Sequence, residues 1–156
     1  MLTRKTWQEK LADNKDLPRV VEITGKMSKR WGTGTVCIPA PREVDEIMRK
    51  VPRGKLITIN QIREIVAKKH GASIGCPITT GIFVNIAARA ADEAAAEGKI
   101  NTTPYWRTLK SKGELNEKYP GGVETQAARL REEGHTIDLS KKPPRVKDFE
   151  KALVRV

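Results

Sequence analysis

Aromatic side chains are scarce in this sequence, with three Trp, two Tyr and two Phe among 156 residues, so any core must be built mainly from aliphatic groups. Cysteine and histidine are scarcer still. Cys37, Cys76, His70 and His135 stand apart from one another, at spacings that suit neither a zinc site nor a disulfide framework. Neither is expected, and no cofactor motif is present. Long apolar runs are also missing: the richest stretch, Ile82 to Ala96, is broken by Asn85, Arg89, Asp92 and Glu93, which excludes a membrane span. The beginning of the chain lacks the apolar segment of a signal peptide. The expected location is cytoplasmic and nucleoid-associated.

Acidic residues are the minority, 19 against 30 Lys and Arg, for a formal net charge of +11. Such a field attracts a polyanion and holds it by releasing counterions. Nucleic acid is the expected partner, although the charge alone also suits a basic, soluble protein of a thermophile or a ribosome-associated factor. With 38% apolar and 31% charged residues, the chain reads as one domain with decorated ends. The expected divisions are a basic extension over 1–42, the main domain over 43–139 and a tail with a short helix over 140–156.

Within the extension, a short helix fits Thr6 to Ala12, while glycine density from Gly25 to Gly34 argues against a helix there. Lys26, Lys29 and Arg30 lie in that segment beside Trp31. They suit phosphate contacts with an indole packed on sugar or base; a solvated loop anchored by Trp31 is the plainer reading. Val44, Ile47, Met48 and Val51 then fall at helical spacing between Pro41 and Pro52. After a short extended piece, Lys55 to Ile57, Thr58 is placed to cap a second helix that stops at His70-Gly71. Ala72 to Pro77 reads as a turn. Thr79 or Thr80 then caps a third helix carrying Ile82, Phe83, Ile86, Ala87, Ala90 and Ala94 and ending at Gly98. Two helices joined by a glycine-containing turn suggest a helix-turn-helix. A fourth helix fits Val123 to Glu133, a short strand His135 to Leu139, and a small terminal helix Val146, Phe149 and Leu153.

In this order stand Val51-Pro52-Arg53-Gly54-Lys55, Ala88-Arg89-Ala90, Pro104-Tyr105-Trp106-Arg107, Tyr119-Pro120-Gly121-Gly122 and Leu130-Arg131-Glu132-Glu133-Gly134-His135. The series resembles the DNA-binding domain of the O6-alkylguanine-DNA alkyltransferases and of the alkyltransferase-like proteins that lack the acceptor cysteine. The resemblance covers Val44 to Leu139. It implies a mainly α fold with short strands, a winged-helix or helix-turn-helix-like DNA-binding domain, and double-stranded, damaged DNA as partner. It also implies a monomer that hands the lesion to downstream repair proteins.

The family's active-site loop reads Pro-Cys-His-Arg, and its cysteine takes the alkyl group. Here Tyr105 and Trp106 occupy the Cys and His positions, Arg107 is retained, and Glu133 matches the family Glu. A phenol with a pKa near 10 is about 0.1% ionised at neutral pH and is a poorer nucleophile toward an alkyl carbon than a thiolate. Alkyl transfer by the family route is therefore not expected. The resemblance assigns Arg89 to the gap left by a flipped base, and the small-residue face of its helix to the minor groove. It assigns Tyr105, Trp106, Arg107, Tyr119, Gly121 and Gly122 to a lesion pocket. Thr58, Lys110, Lys112 and Lys118 join Lys26, Lys29 and Arg30 as candidate DNA contacts. Plainer roles stand beside these: Arg89 paired with Asp92 and Glu93, Trp106 filling the core, and Arg107 with Glu133 as a structural ion pair. No residue is assigned to catalysis unless the chain is a base-excision glycosylase, in which case Glu133 is the candidate. A general DNA-binding protein without a lesion pocket is a further alternative.

Overall fold

In the computed structural model, which describes residues 5–156, the chain opens with α1 (Trp7–Ala12). The Thr6 hydroxyl accepts the Glu9 amide at 3.0 Å, and the Glu9 carboxylate accepts the Thr6 amide at 3.0 Å, which satisfies two donors at the helix start. The rest of the expected basic extension, where glycine density argues against a helix, carries regular elements. β1 (Arg19–Glu22) and β2 (Thr35–Ile38) pair antiparallel around α2 (Met27–Trp31), a single turn of helix fitted between Gly25 and Gly32. The glycines flank this helix rather than interrupt it, which is why the composition of the segment hides it.

α3 (Pro41–Arg49) starts on a proline, and the Glu43 carboxylate accepts the Ala40 amide at 3.1 Å. Val44, Met48 and Val51 from this region are fully or almost fully buried. β3 (Ile57–Thr58) leads into α4 (Ile59–His70), capped as its sequence indicates: the Thr58 hydroxyl accepts the Gln61 amide, and Gly71 closes the helix in the left-handed region. The following segment is not a plain turn. Its residues Ile74 and Gly75 form β4, parallel to β2, with Cys37 opposite Gly75.

α5 (Pro77–Ala96) begins before Thr79 and Thr80, because Pro77 with its fixed φ takes the first helical position. A 3-10 turn (Tyr105–Arg107) and β5 (Thr108–Leu109) follow, and β5 pairs parallel with β3. α6 (Gly122–Glu132) precedes a small antiparallel pair, β6 (Ile137–Asp138) and β7 (Arg145–Val146). The terminal helix is shorter than its spacing suggests. Val146 lies in β7, and only Phe149–Ala152 turns, as a 3-10 helix. Beyond it, the chain brackets Leu56 through the Leu56 amide to the Ala152 carbonyl and the Val154 amide to the Leu56 carbonyl.

Two apolar clusters result. One joins α3, α4 and α5 through Val44, Met48, Ile62, Val84, Ala87, Ala88 and Ala91, with Tyr105 and Tyr119 at its edge. The other holds Leu56, Leu109, Leu115, Ala127, Leu130, Ile137 and Val146. Trp106 packs against both. The chain is thus mainly helical with short strands, and no helix among the described residues is long and apolar enough to cross a membrane.

Gly75 shows how closely the N-terminal sheet lies on α4. A Cβ there would stand 2.5 Å from the Arg63 carbonyl oxygen and 2.9 Å from a Val66 methyl, inside the contact distance of either. Gly75→Ala is therefore expected to cost about 1–3 kcal/mol of stability. Urea unfolding of the two proteins measures it, and an unchanged midpoint would show that β4 moves off α4 freely.

Candidate nucleic-acid interface

The 3-10 turn after Pro104 sets three consecutive side chains in different surroundings. Tyr105 is 6% exposed, and its ring meets Trp106 and Tyr119 edge-on at 5.5 and 5.2 Å between centroids. Burial pushes the Tyr105 phenol up, and the Asp92 carboxylate adds to that. Its hydroxyl is therefore even less ionised than a free phenol. Tyr119 is 3% exposed and donates its hydroxyl to the Thr108 carbonyl at 2.9 Å. It is a satisfied core residue, and burial raises its pKa strongly.

Trp106 is half-buried. Its indole Nε1 donates to Glu133 Oε2 at 2.9 Å, and the Arg129 guanidinium lies 4.6 Å from its ring centroid, within cation–π range. Arg107 donates through Nε and Nη2 to Glu133 at 2.9 and 2.8 Å and through Nη1 to the Val51 carbonyl at 2.8 Å. The side chains of this pair are 13% and 3% exposed. Burial works to raise the pKa of Glu133, but hydrogen bonds from Arg107, Trp106 and the Gly54 amide outweigh it and hold the carboxyl below its ordinary range. Both oxygens are committed to protein donors. Such a carboxylate is poorly suited to activating water, the role that a glycosylase would give it.

Gly121 and Gly122 both adopt positive φ, +77° and +69°, at the start of α6. The space beside Gly121 is filled by the Thr125 side chain, whereas that beside Gly122 is open. Space for a side-chain carbon is therefore open at the second glycine and closed at the first. Tyr105 and Tyr119 pack on protein and form no open wall, so the exposed aromatic face belongs to Trp106, under the solvent-exposed Arg129.

Arg89 stands on α5, where its Nη2 donates to the Lys118 carbonyl at 3.0 Å and its guanidinium lies 5.3 Å from the Trp7 ring centroid. Glu93, one of the two carboxylates spaced to pair with it, instead accepts the Trp7 and Gln8 amides. The small-residue face is not the outer one. Ala87, Ala88, Ala90 and Ala91 are 0–5% exposed, because their lack of bulk lets α5 sit close against α1, α3 and α4. Ile82, expected among the buried positions, is 49% exposed, and Ile78 is 56% exposed. The helix therefore shows solvent Ile78, Ile82, Asn85 and Arg89, spaced by four, three and four residues along one face.

Among the basic candidates, Lys26, Lys29 and Arg30 are exposed on and before α2, and Lys112 and Lys118 are exposed in the loop before α6. Lys110 and Lys112 line a cleft of about 430 Å³ with Arg63, Ile59, Asn60 and Pro77, at the starts of α4 and α5. Thr58 is buried, and its hydroxyl is occupied by the Gln61 amide, so its side chain is not free for a phosphate. Sequence reasoning missed Arg63, Arg129 and Trp7. Arg63 carried one signal, its place one turn after the Thr58 cap. The other two become notable only through what they stack on. Among the described residues, no group of three or more His, Cys, Asp and Glu is placed to hold a metal ion.

The Arg107–Glu133 pair is buried enough to govern stability. Glu133→Ala, which leaves the guanidinium without its partner, is expected to cost about 3–5 kcal/mol, and Arg107→Met with Glu133→Leu is expected to recover most of it. With a lowered folded-state pKa, the stabilisation from Glu133 is full above the unfolded value of about 4.3 and is lost as the pH falls through the folded one. Urea titrations between pH 7 and 3 read both effects. Equal acid sensitivity of wild type and the double variant would remove the pair from this account.

No protein-family model matches the sequence, and a comparison with curated proteins finds no match. Among solved structures, the chain is similar to S. pombe Atl1, an alkyltransferase-like protein, in its crystal structure with damaged DNA containing O6-carboxymethylguanine. The TM-score is 0.51 at 19% sequence identity, and the match covers 74% of this chain and 94% of that one. At that identity the likeness speaks for the architecture: this protein has the fold of an alkyltransferase-like protein.

Proposed function

We propose that the protein is a non-enzymatic sensor of damaged, alkylated DNA that everts a nucleotide, holds it without transferring the alkyl group, and marks the site for a repair system. The observation that carries this reading is the burial of both cysteines and of the tyrosine that the resemblance sets at the acceptor position. On a fold shared with a protein solved on damaged DNA, that position holds a buried phenol, Tyr105, while Cys37 and Cys76 are both buried elsewhere. Cys37 is 0% exposed, and burial pushes its thiol up to about 11. Neither sulfur is presented as a nucleophile.

The net charge of +11 supports a phosphate backbone as the partner. In this reading, α5 enters the minor groove and Arg89 fills the vacated stack, since a planar guanidinium can lie between bases while charged. The interactions that now hold it, one carbonyl and the Trp7 ring, are individually weak, about 0.5–1.5 kcal/mol each. They are small beside the few kcal/mol that eversion costs. The everted base stacks on Trp106 in place of Arg129, whose departure forfeits one exposed cation–π contact and leaves the Arg107–Glu133 pair intact. In this reading the added alkyl group points toward Gly122, where a side-chain carbon would meet nothing within 4 Å.

Incubation with labelled duplexes bearing O6-alkylguanine tests the reading. The expected result is a retained complex, unchanged protein mass and no abasic site; alkylated protein or released base would replace the sensor with an enzyme. In the same assay, Arg89→Ala is expected to weaken the damaged-over-undamaged preference more than overall affinity. Lys29→Ala with Arg30→Ala is expected to weaken both duplexes equally and to flatten the salt dependence by about one unit per lost phosphate contact. Equal losses on both duplexes for Arg89→Ala would sink the assignment of the finger.

A further inference from the structure

The outer face of α5 carries an unexplained pair. Ile78 and Ile82 are one helical turn apart, both about half exposed, and they lie on the same face as Arg89. From Pro77 to Ala91 this helix has a single charged residue, Arg89, and its acidic residues begin only at Asp92. The exposed pair is flanked by cations. Pro77 borders the cleft lined by Arg63, Lys110 and Lys112, and Arg89 follows at the other end beside the Lys118 carbonyl. Glu114 also lines the cleft, where its carboxylate accepts the Lys112 amide at 2.8 Å.

A protein partner is a poor fit to this surface. Stable protein interfaces bury about 800 Å² per partner around an apolar centre, far more than two isoleucines supply, and a cationic surround suits a polyanion instead. Minor-groove binding, by contrast, uses one or two apolar side chains pressed between base steps, which unstacks them and kinks the duplex. We infer that Ile78 and Ile82 form such an apolar wedge, which presses on stacked bases of duplex DNA and bends it, at a step separate from the one addressed by Arg89. The inference rests on the proposed placement of α5 in the minor groove. The seven residues from Ile82 to Arg89 rise about 10.5 Å along the helix, on the order of three base steps. Wedge and guanidinium therefore act at different places on one duplex. A bend at the first widens the groove that the second must enter, which gives the exposed isoleucines a use despite their cost in solubility.

The test measures bending and binding together, with donor and acceptor dyes at the ends of otherwise identical damaged and undamaged duplexes. Wild-type protein is expected to shorten the end-to-end distance by a bend of roughly 20–90°. Ile78→Ala with Ile82→Ala, conservative at exposed helical positions, is expected to lose most of the bend and to bind both duplexes about tenfold more weakly. Ile82→Lys separates wedge from charge: it adds a cation, yet the bend should fall. Undiminished bending by either variant overturns the wedge. So does a self-associated wild type that both variants render monomeric while the bend persists, since the isoleucines would then join copies of this chain. Equal binding and bending of the two duplexes by wild type would refute lesion recognition while leaving the wedge supported; failure to bind either duplex would refute both.

Discussion

Where the two apolar clusters meet, the structure depends on one buried ion pair. Arg107 and Glu133 come from segments 26 residues apart and join through a bidentate contact, which also gathers the Trp106 indole, the Gly54 amide and the Val51 carbonyl. The carboxylate thereby fixes the end of α6 against the turn that precedes α4. The donors it accepts are part-buried, and leaving such a donor unpaired costs up to about 1–3 kcal/mol. Both charges are thus accounted for by architecture.

That same network divides the residues around it by exposure. Tyr105 and Tyr119 lie on the inner side, hydrogen-bonded or packed on all faces, and share in holding α5. Trp106 has one face on the clusters and the other under Arg129, a long side chain in solvent. Of the three aromatics at this loop, Trp106 is the one whose outer face can change partner without disturbing the core. The fixed half of the loop thereby supports the half that is free.

The helices that can be read from the sequence are those with strong local chemistry. Thr58 and Gln61 cap α4, Gly71 stops it, Pro41 starts α3, and the spacing of Val44, Met48 and Val51 states which side is buried. α5 yields less because its information is ambiguous. Its start has no polar cap, and alanines at 87, 88, 90, 91, 94, 95 and 96 spread around the helix, so no stripe marks the inner face. Only packing partners decide it, and α1, a partner from the far end of the sequence, cannot be foreseen by periodicity. The β1–β2 hairpin was hidden for a related reason. All four residues of β1 are exposed, so the alternation that reveals a half-buried strand is missing. At the site, residue types announced Arg89, Trp106 and Glu133, but whether a side chain is engaged or available is set by neighbours remote in sequence.

The sealed cysteines have a practical consequence. The Cys76 amide donates to the Cys37 carbonyl at 2.9 Å, and both thiols lie where β2 and β4 close over α4. A thiol-specific reagent added to native protein can reach these sulfurs only when that sheet lifts, so the rate of modification at each cysteine clocks local opening of the N-terminal half. Because the chain carries only these two cysteines, that clock runs without any engineered label, and it can be read in the presence of a duplex.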